Sequence, residues 1–267
     1  MQLKDFTNAN RAAWNEISQR HREQRGEELM RLFSTRGASC LDSYETSRLQ
    51  RLGLAGRRVV QLCCNNGREL ISIKNLGAAR CVGIDISDTA LEEARALATR
   101  AGVECEFVAA DVYDVADQYE RSFDLVYMTV GALGWMPDIN RFFQVVRRLM
   151  ADQSALFIYE MHPLTDMFLP GSPDPVAFAH PYTRTAPYVG EGLDYYAGTE
   201  HKTQVSEFWF HHTLGAIVTA VAHSGIRVVS LEEFDHDVSN SFGAIEKVEN
   251  RPPLSYILQG GVYDGSL

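Results

Sequence analysis

The chain has 267 residues, 45% of them hydrophobic and 22% charged, with a formal net charge of −10. That is enough apolar material for one full core, and the acidic balance argues against nucleic acid or an anionic membrane surface as a partner. No run reaches the roughly 18 apolar residues of a membrane span, and the opening MQLKDFTNANRAAW lacks the apolar centre of a secretory leader, so a cytoplasmic protein is expected.

In chain order, Asn8 or Asn10 can cap a first helix through Trp14 and Ile17 to about Arg25. A second helix is expected over 27–33, and a third from about Ser43 to Leu52, stopped by Gly53. Val59, Val60 and Leu62 make an apolar run short enough for a buried parallel strand. Asn65, Asn66 and Gly67 break it, a helix follows from Arg68, and Cys81–Ile84 form the next strand, ending on Asp85. This βαβ unit puts a tight turn, a helix N-terminus and a carboxylate at the carboxyl ends of two strands, where open α/β sheets bind ligands. Asp85 is placed to accept hydrogen bonds from the hydroxyls of a ribose. Ser87 or Asp88 caps a helix carrying Ala90, Leu91, Ala94 and Leu97, and Glu104 to Ala109 form the third strand, followed by Asp111.

The pattern around residues 61–67 resembles the acidic-x-G-x-G-x-G loop of class I S-adenosylmethionine (SAM) dependent methyltransferases, in a bacterial branch acting on small molecules. Gln61, Cys63, Asn65 and Gly67 stand where that family has an acid and three glycines, and only the last glycine is kept. Asn65 suits a left-handed backbone better than most residues do, and Gln61 retains one hydrogen-bond acceptor in place of the charge. The resemblance implies SAM as cofactor, held by Gln61, Cys63, Asn65, Gly67, Asp85, Ile86, Asp111 and Val112, with Asp111 meeting the adenine. Thr129 and Val130 would lie beside the sulfonium. It also implies a Rossmann-like sheet of seven strands, mostly parallel with an antiparallel last strand, and residues 1–55 as a helical cap over the cofactor. Another reading of Asp111 is that it only caps the following turn.

Phe123 to Thr129 read as the fourth strand, leading through Ala132–Trp135 into an amphipathic helix. Ala151 to Ser154 read as a turn, and Ala155 to Tyr159 as the fifth strand. Residues 163–210 hold several prolines and aromatics and read as a substrate-covering insertion, with short strands at about 193–199 and 204–210. Thr213 caps a helix over 214–223 that ends before Gly225, and the sixth and seventh strands fall at 226–231 and 254–262. The whole is expected to be a single domain, with 56–162 as the cofactor-binding core and 211–267 completing the sheet.

His162, just past the fifth strand, is the candidate general base, since imidazole titrates near neutral pH and Glu160 is close enough to orient it. The alternative is that His162 and Pro163 only shape the turn. Trp14, Trp135, His162, Tyr182, Tyr195 and His211 are the candidate acceptor-binding residues; Tyr182 and Tyr195 rank lower, together with His180, and His212 is the alternative to His211. Five cysteines without a C-x-x-C pair, and histidines without ligand spacing, give no reason to expect a metal. The expected activity is N- or O-methylation of a small cyclic or aromatic metabolite by a monomer or homodimer. The competing readings are non-methylating chemistry on the same fold, such as cyclisation or elimination, and a non-catalytic binding protein. A NAD(P) oxidoreductase fits the turn spacing less well.

Overall fold

A computed structural model describes residues 1–190 and 205–263. Its centre is a seven-stranded sheet of β1 (Arg58–Leu62), β2 (Arg80–Asp85), β3 (Glu106–Ala109), β4 (Phe123–Met128), β5 (Met150–Met161), β8 (Arg227–Phe234) and β9 (Ser255–Gly261), in the order β3-β2-β1-β4-β5-β9-β8. β9 is antiparallel to both of its neighbours, β5 and β8, so β8 runs with the other strands and only β9 is reversed. The central strands are apolar because both faces are covered; Val59, Val60, Leu62, Val82 and Val126 are fully buried. One apolar layer lies under α5 (Ile139–Leu149) and α6 (Leu214–His223), and the other under α2 (Ser43–Leu52) and α3 (Arg68–Asn75).

Local chemistry sets the helix starts. Asp42, Ser87, Asp138 and Thr213 each accept a backbone N–H from the first turn of α2, α4 (Asp88–Ala101), α5 and α6. Two expectations change. The two N-terminal helices are one, α1 (Leu3–Leu32), which runs through Gly26. A mid-helix glycine costs only about 1 kcal/mol, which a long helix packed against α4 absorbs. Residues 151–154 belong to β5, with Gln153 in the left-handed region where the register against β4 shifts. In the insertion, β7 (Glu207–Trp209) pairs with β6 (Tyr188–Gly190); the expected strand at 193–199 lies outside the described residues. Among the described residues, no helix is long and apolar enough to cross a membrane.

Candidate active site

The carboxyl ends of β1, β2, β4 and β5 open into a cavity of about 440 Å³, roofed by α1 and by the insertion with β6 and β7. The turn after β1 forms its floor. Cys63, Asn65 and Gly67 all adopt left-handed backbone, with φ of 56°, 49° and 69°. The loop therefore keeps the geometry of three glycines although two have been replaced. Asn tolerates that region, whereas Cys63 holds it at a cost of roughly 1–2 kcal/mol. Gly67 has no such latitude, since a Cβ there would lie 2.6 Å from Cε1 of Phe107 and 3.1 Å from the Ala94 Cβ. Burial pushes the Cys63 and Cys64 thiols well above their usual range, so both remain protonated and unreactive.

Asp85 ties the loop to the next helix. One carboxylate oxygen accepts the Asn65 N–H at 2.7 Å and the other the Ser87 N–H at 2.8 Å. Burial pushes its pKa up, against these donors, which favour the charged form. Each oxygen keeps a lone pair directed elsewhere. Gln61, only 1% exposed, lines the cavity, and its side-chain oxygen is buried without a hydrogen-bond partner. An orphaned acceptor of that kind costs about 1–3 kcal/mol unless a ligand donor meets it.

Asp111 also lines the cavity, and both its oxygens are occupied. One accepts the Tyr113 N–H at 3.0 Å, so it does cap the following turn, and the other is paired with Lys4 at 2.7 Å. Lys4 belongs to the first turn of α1, so this pair fastens one end of the roof to the floor. Further along α1, Asn15 accepts the Ser87 hydroxyl at 2.8 Å, and Asn10 exchanges hydrogen bonds with the Phe208 backbone on β7.

Ile86, Val112, Thr129 and Val130 line the same cavity, as do Trp14 and Trp135; Gly67 does not reach its wall and instead starts α3. Three other candidates are not brought to it. Side chains alternate along an extended strand; Met161 lines the cavity, and Glu160 and His162 on either side of it do not. His162 is 3% exposed, Nε2 lies 2.8 Å from Glu233, and Nδ1 accepts the Leu164 N–H at 3.1 Å, so both ring nitrogens hold structural partners. Burial lowers its pKa against the pull of Glu233. Tyr182 accepts the Leu214 N–H at the start of α6 and packs edge-on against His211. His211 is buried with Nδ1 2.8 Å from Asp166, behind the wall. Tyr195 lies outside the described residues.

Glu160 has a different role from orienting His162. Its carboxylate accepts N–H groups of Gly131, Ala132, Leu133 and Met161, at 2.5, 2.9, 3.2 and 2.9 Å, and so fixes the loop after β4. Burial pushes its pKa up to about 7, against those four donors.

Sequence reasoning did not single out Asp166, Glu207, Trp209 or His21, which also line the cavity. A usable signal was that the chain has three tryptophans, each in a segment flanking the sheet.

The family model for the methyltransferase domain matches residues 59–153, the stretch from β1 into β5. The chain is 37% identical over 82 residues to a ribosomal protein L11 methyltransferase of Alteromonas mediterranea, covering 31% of this chain and 27% of that protein. It spans only about a quarter of the length of the curated relatives it matches, 28% and 27%. Among solved structures it is similar to an S-adenosylmethionine dependent methyltransferase of Mesorhizobium loti, with TM-score 0.60 and 23% identity over 82% of this chain and 98% of that one. It is also similar to a glycopeptide N-methyltransferase solved with S-adenosylhomocysteine (TM-score 0.54, 15% identity, 84% of this chain and 91% of that one).

Proposed function

We propose that this chain, which carries a class I methyltransferase domain on a Rossmann-like sheet, binds SAM and methylates a small molecule at nitrogen or oxygen. The observation that carries the reading is the loop of residues 63–67. It keeps three left-handed positions at φ 56°, 49° and 69° beneath the cavity, and an isolated chain would not hold Cys63 there without a compensating use. The residues present fit the cofactor. The unpartnered Gln61 oxygen offers an acceptor to an ammonium group, the loop and the start of α3 offer N–H groups, and Asp85 offers lone pairs to a ribose. Asp111 offers less to an adenine than the resemblance implies, since Lys4 and Tyr113 already hold it.

Bound there, SAM supplies a sulfonium-activated methyl group, and its product is S-adenosylhomocysteine (SAH). The chain's own part is to hold donor and acceptor in line, which can supply much of the rate. Glu160 does this indirectly, by fixing the Gly131–Leu133 wall. His162 shapes the turn after β5; where an acceptor must lose a proton, Asp166, His180, Tyr188 and Glu207 are among the described titratable groups that line the cavity on the insertion side.

Calorimetric titration of SAM, SAH and NADH tests the cofactor. Micromolar binding of both adenosyl ligands with none of NADH is expected, and failure of both to bind refutes the reading. Stoichiometric SAH release with product separates methyl transfer from a cyclisation or elimination on the same fold.

A further inference from the structure

All three tryptophans of the chain, Trp14 on α1, Trp135 after β4 and Trp209 on β7, line the one cavity. Their rings stand as successive perpendicular panels. Trp14 and Trp135 have centroids 5.3 Å apart at 81°, and Trp135 and Trp209 have centroids 5.1 Å apart at 89°. None is fully buried, and each contributes to the cavity lining.

The third panel is held in place by its surroundings. The indole N–H of Trp209 is directed at both oxygens of Asp166, at 3.2 and 3.3 Å. Its ring lies so close over Gly134 that a Cβ there would stand 2.2 Å from the indole. Gly190, opposite Glu207 across the β6–β7 pair, gives similar clearance, since its Cβ would stand 2.7 Å from Glu207 Oε1. Glu207 precedes Trp209 by two residues on the same strand, is 4% exposed and lines the cavity too. Asp166 is kept in position by His211, 2.8 Å away. Among the described residues, the guanidiniums that line the cavity are Arg68 and Arg25, which lie by Glu69 and Glu93 on the cofactor-loop side.

Aromatic faces attract cations, and most strongly where water is excluded, while a carboxylate beside them favours the same charge. We infer that the acceptor pocket is built for an organic ammonium: the acceptor is an amine, held by the Trp14–Trp135–Trp209 panels and Asp166. This rests on the methyl-transfer reading and narrows it. An amine held as its ammonium first passes one proton to water; the freed lone pair then forms the N–CH3 bond as the S–CH3 bond breaks and its electron pair stays on sulfur in SAH. The nitrogen, positive again, keeps that charge in a quaternary product or passes a remaining N–H proton to water. A phenolate or carboxylate acceptor loses its charge instead and gains nothing from the panels.

Choline and its uncharged carbon isostere neohexanol are the probes, titrated against intrinsic tryptophan fluorescence in protein saturated with SAH. Because every tryptophan is in the pocket, occupancy is read directly. Choline is expected to bind at least about tenfold more tightly than neohexanol. Trp135→Leu is expected to bring the two within about twofold, and Trp135→Phe to keep part of the preference. The ratio is internal to each variant and so does not depend on how much of it folds. Equal affinities in the parent protein overturn the proposal, as does choline that binds only in competition with SAH, which would assign the cation preference to the cofactor's own charge. If calorimetry finds no SAH binding, the methyl-transfer reading fails separately, and the choline preference of the unliganded protein, with its loss in Trp135→Leu, still decides for or against the ammonium pocket.

Discussion

Gly67→Ala is the sharpest perturbation of the cofactor loop. At φ 69° a Cβ carries a left-handed penalty of roughly 1–2 kcal/mol. It would also sit 2.6 and 2.9 Å from two Phe107 ring carbons, well inside the roughly 3.5–4.0 Å of a good carbon contact. Relieving that overlap in a packed interior costs about 1–3 kcal/mol. Alanine restricts the unfolded chain and returns about 0.4–1 kcal/mol. The net expectation is a loss of about 2–4 kcal/mol in urea unfolding at constant m-value. Cys63→Gly is the companion variant. It relieves a similar left-handed penalty at φ 56° but adds the flexibility of glycine, roughly 0.5–1 kcal/mol, and removes a thiol partly packed on the core. It should fall within about 1 kcal/mol of the parent. Phe107→Leu combined with Gly67→Ala should recover part of the loss, because the overlap is with that ring. A Gly67→Ala loss below about 1 kcal/mol, or a Cys63→Gly loss above about 2 kcal/mol, would refute the account of this loop.

Asp85→Asn keeps the size of the side chain but replaces one acceptor oxygen with an NH2 facing the Asn65 or Ser87 N–H; SAM and SAH affinity should fall at least about tenfold by calorimetry, and unchanged affinity would remove Asp85 from the cofactor site. Gly134→Ala should displace Trp209 from Asp166, with a stability loss of about 1–3 kcal/mol and a changed tryptophan emission; a parent-like spectrum would contradict the seating of that indole. Glu160 titrates at about 7 in the fold against 4.5 in the unfolded chain, so its contribution is fully present below pH 4.5 and is lost as pH rises to 7. Relative to Glu160→Gln, the parent should therefore lose on the order of 3 kcal/mol between those pH values, and parallel stability curves for the two proteins would show that burial does not raise this pKa.

The sequence by itself determined the elements whose cues are local. The run from Val59 to Asp85 reads as strand, turn, helix and strand because short apolar runs, a turn glycine and a terminal acid lie within one βαβ unit, and the structure has them there. Asp42, Ser87, Asp138 and Thr213 start helices where a side-chain oxygen can reach a backbone N–H three residues on, a contact that needs no tertiary partner. Gly26 reads locally as a helix break, whereas α1 runs through it because the helix packs along α4 and β7, elements distant in sequence. Direction was also beyond local reading. One residue of register along β5 separates Met161, on the cavity wall, from His162, which faces Glu233, 71 residues away in sequence. Trp14, Trp135 and Trp209 share no sequence period, and their meeting depends on α1 packing against β7 and on β7 pairing with β6. Backbone propensity and capping act over a few residues, so sequence can carry them; which side chains converge on a cavity depends on long-range packing, and only the folded chain decides it.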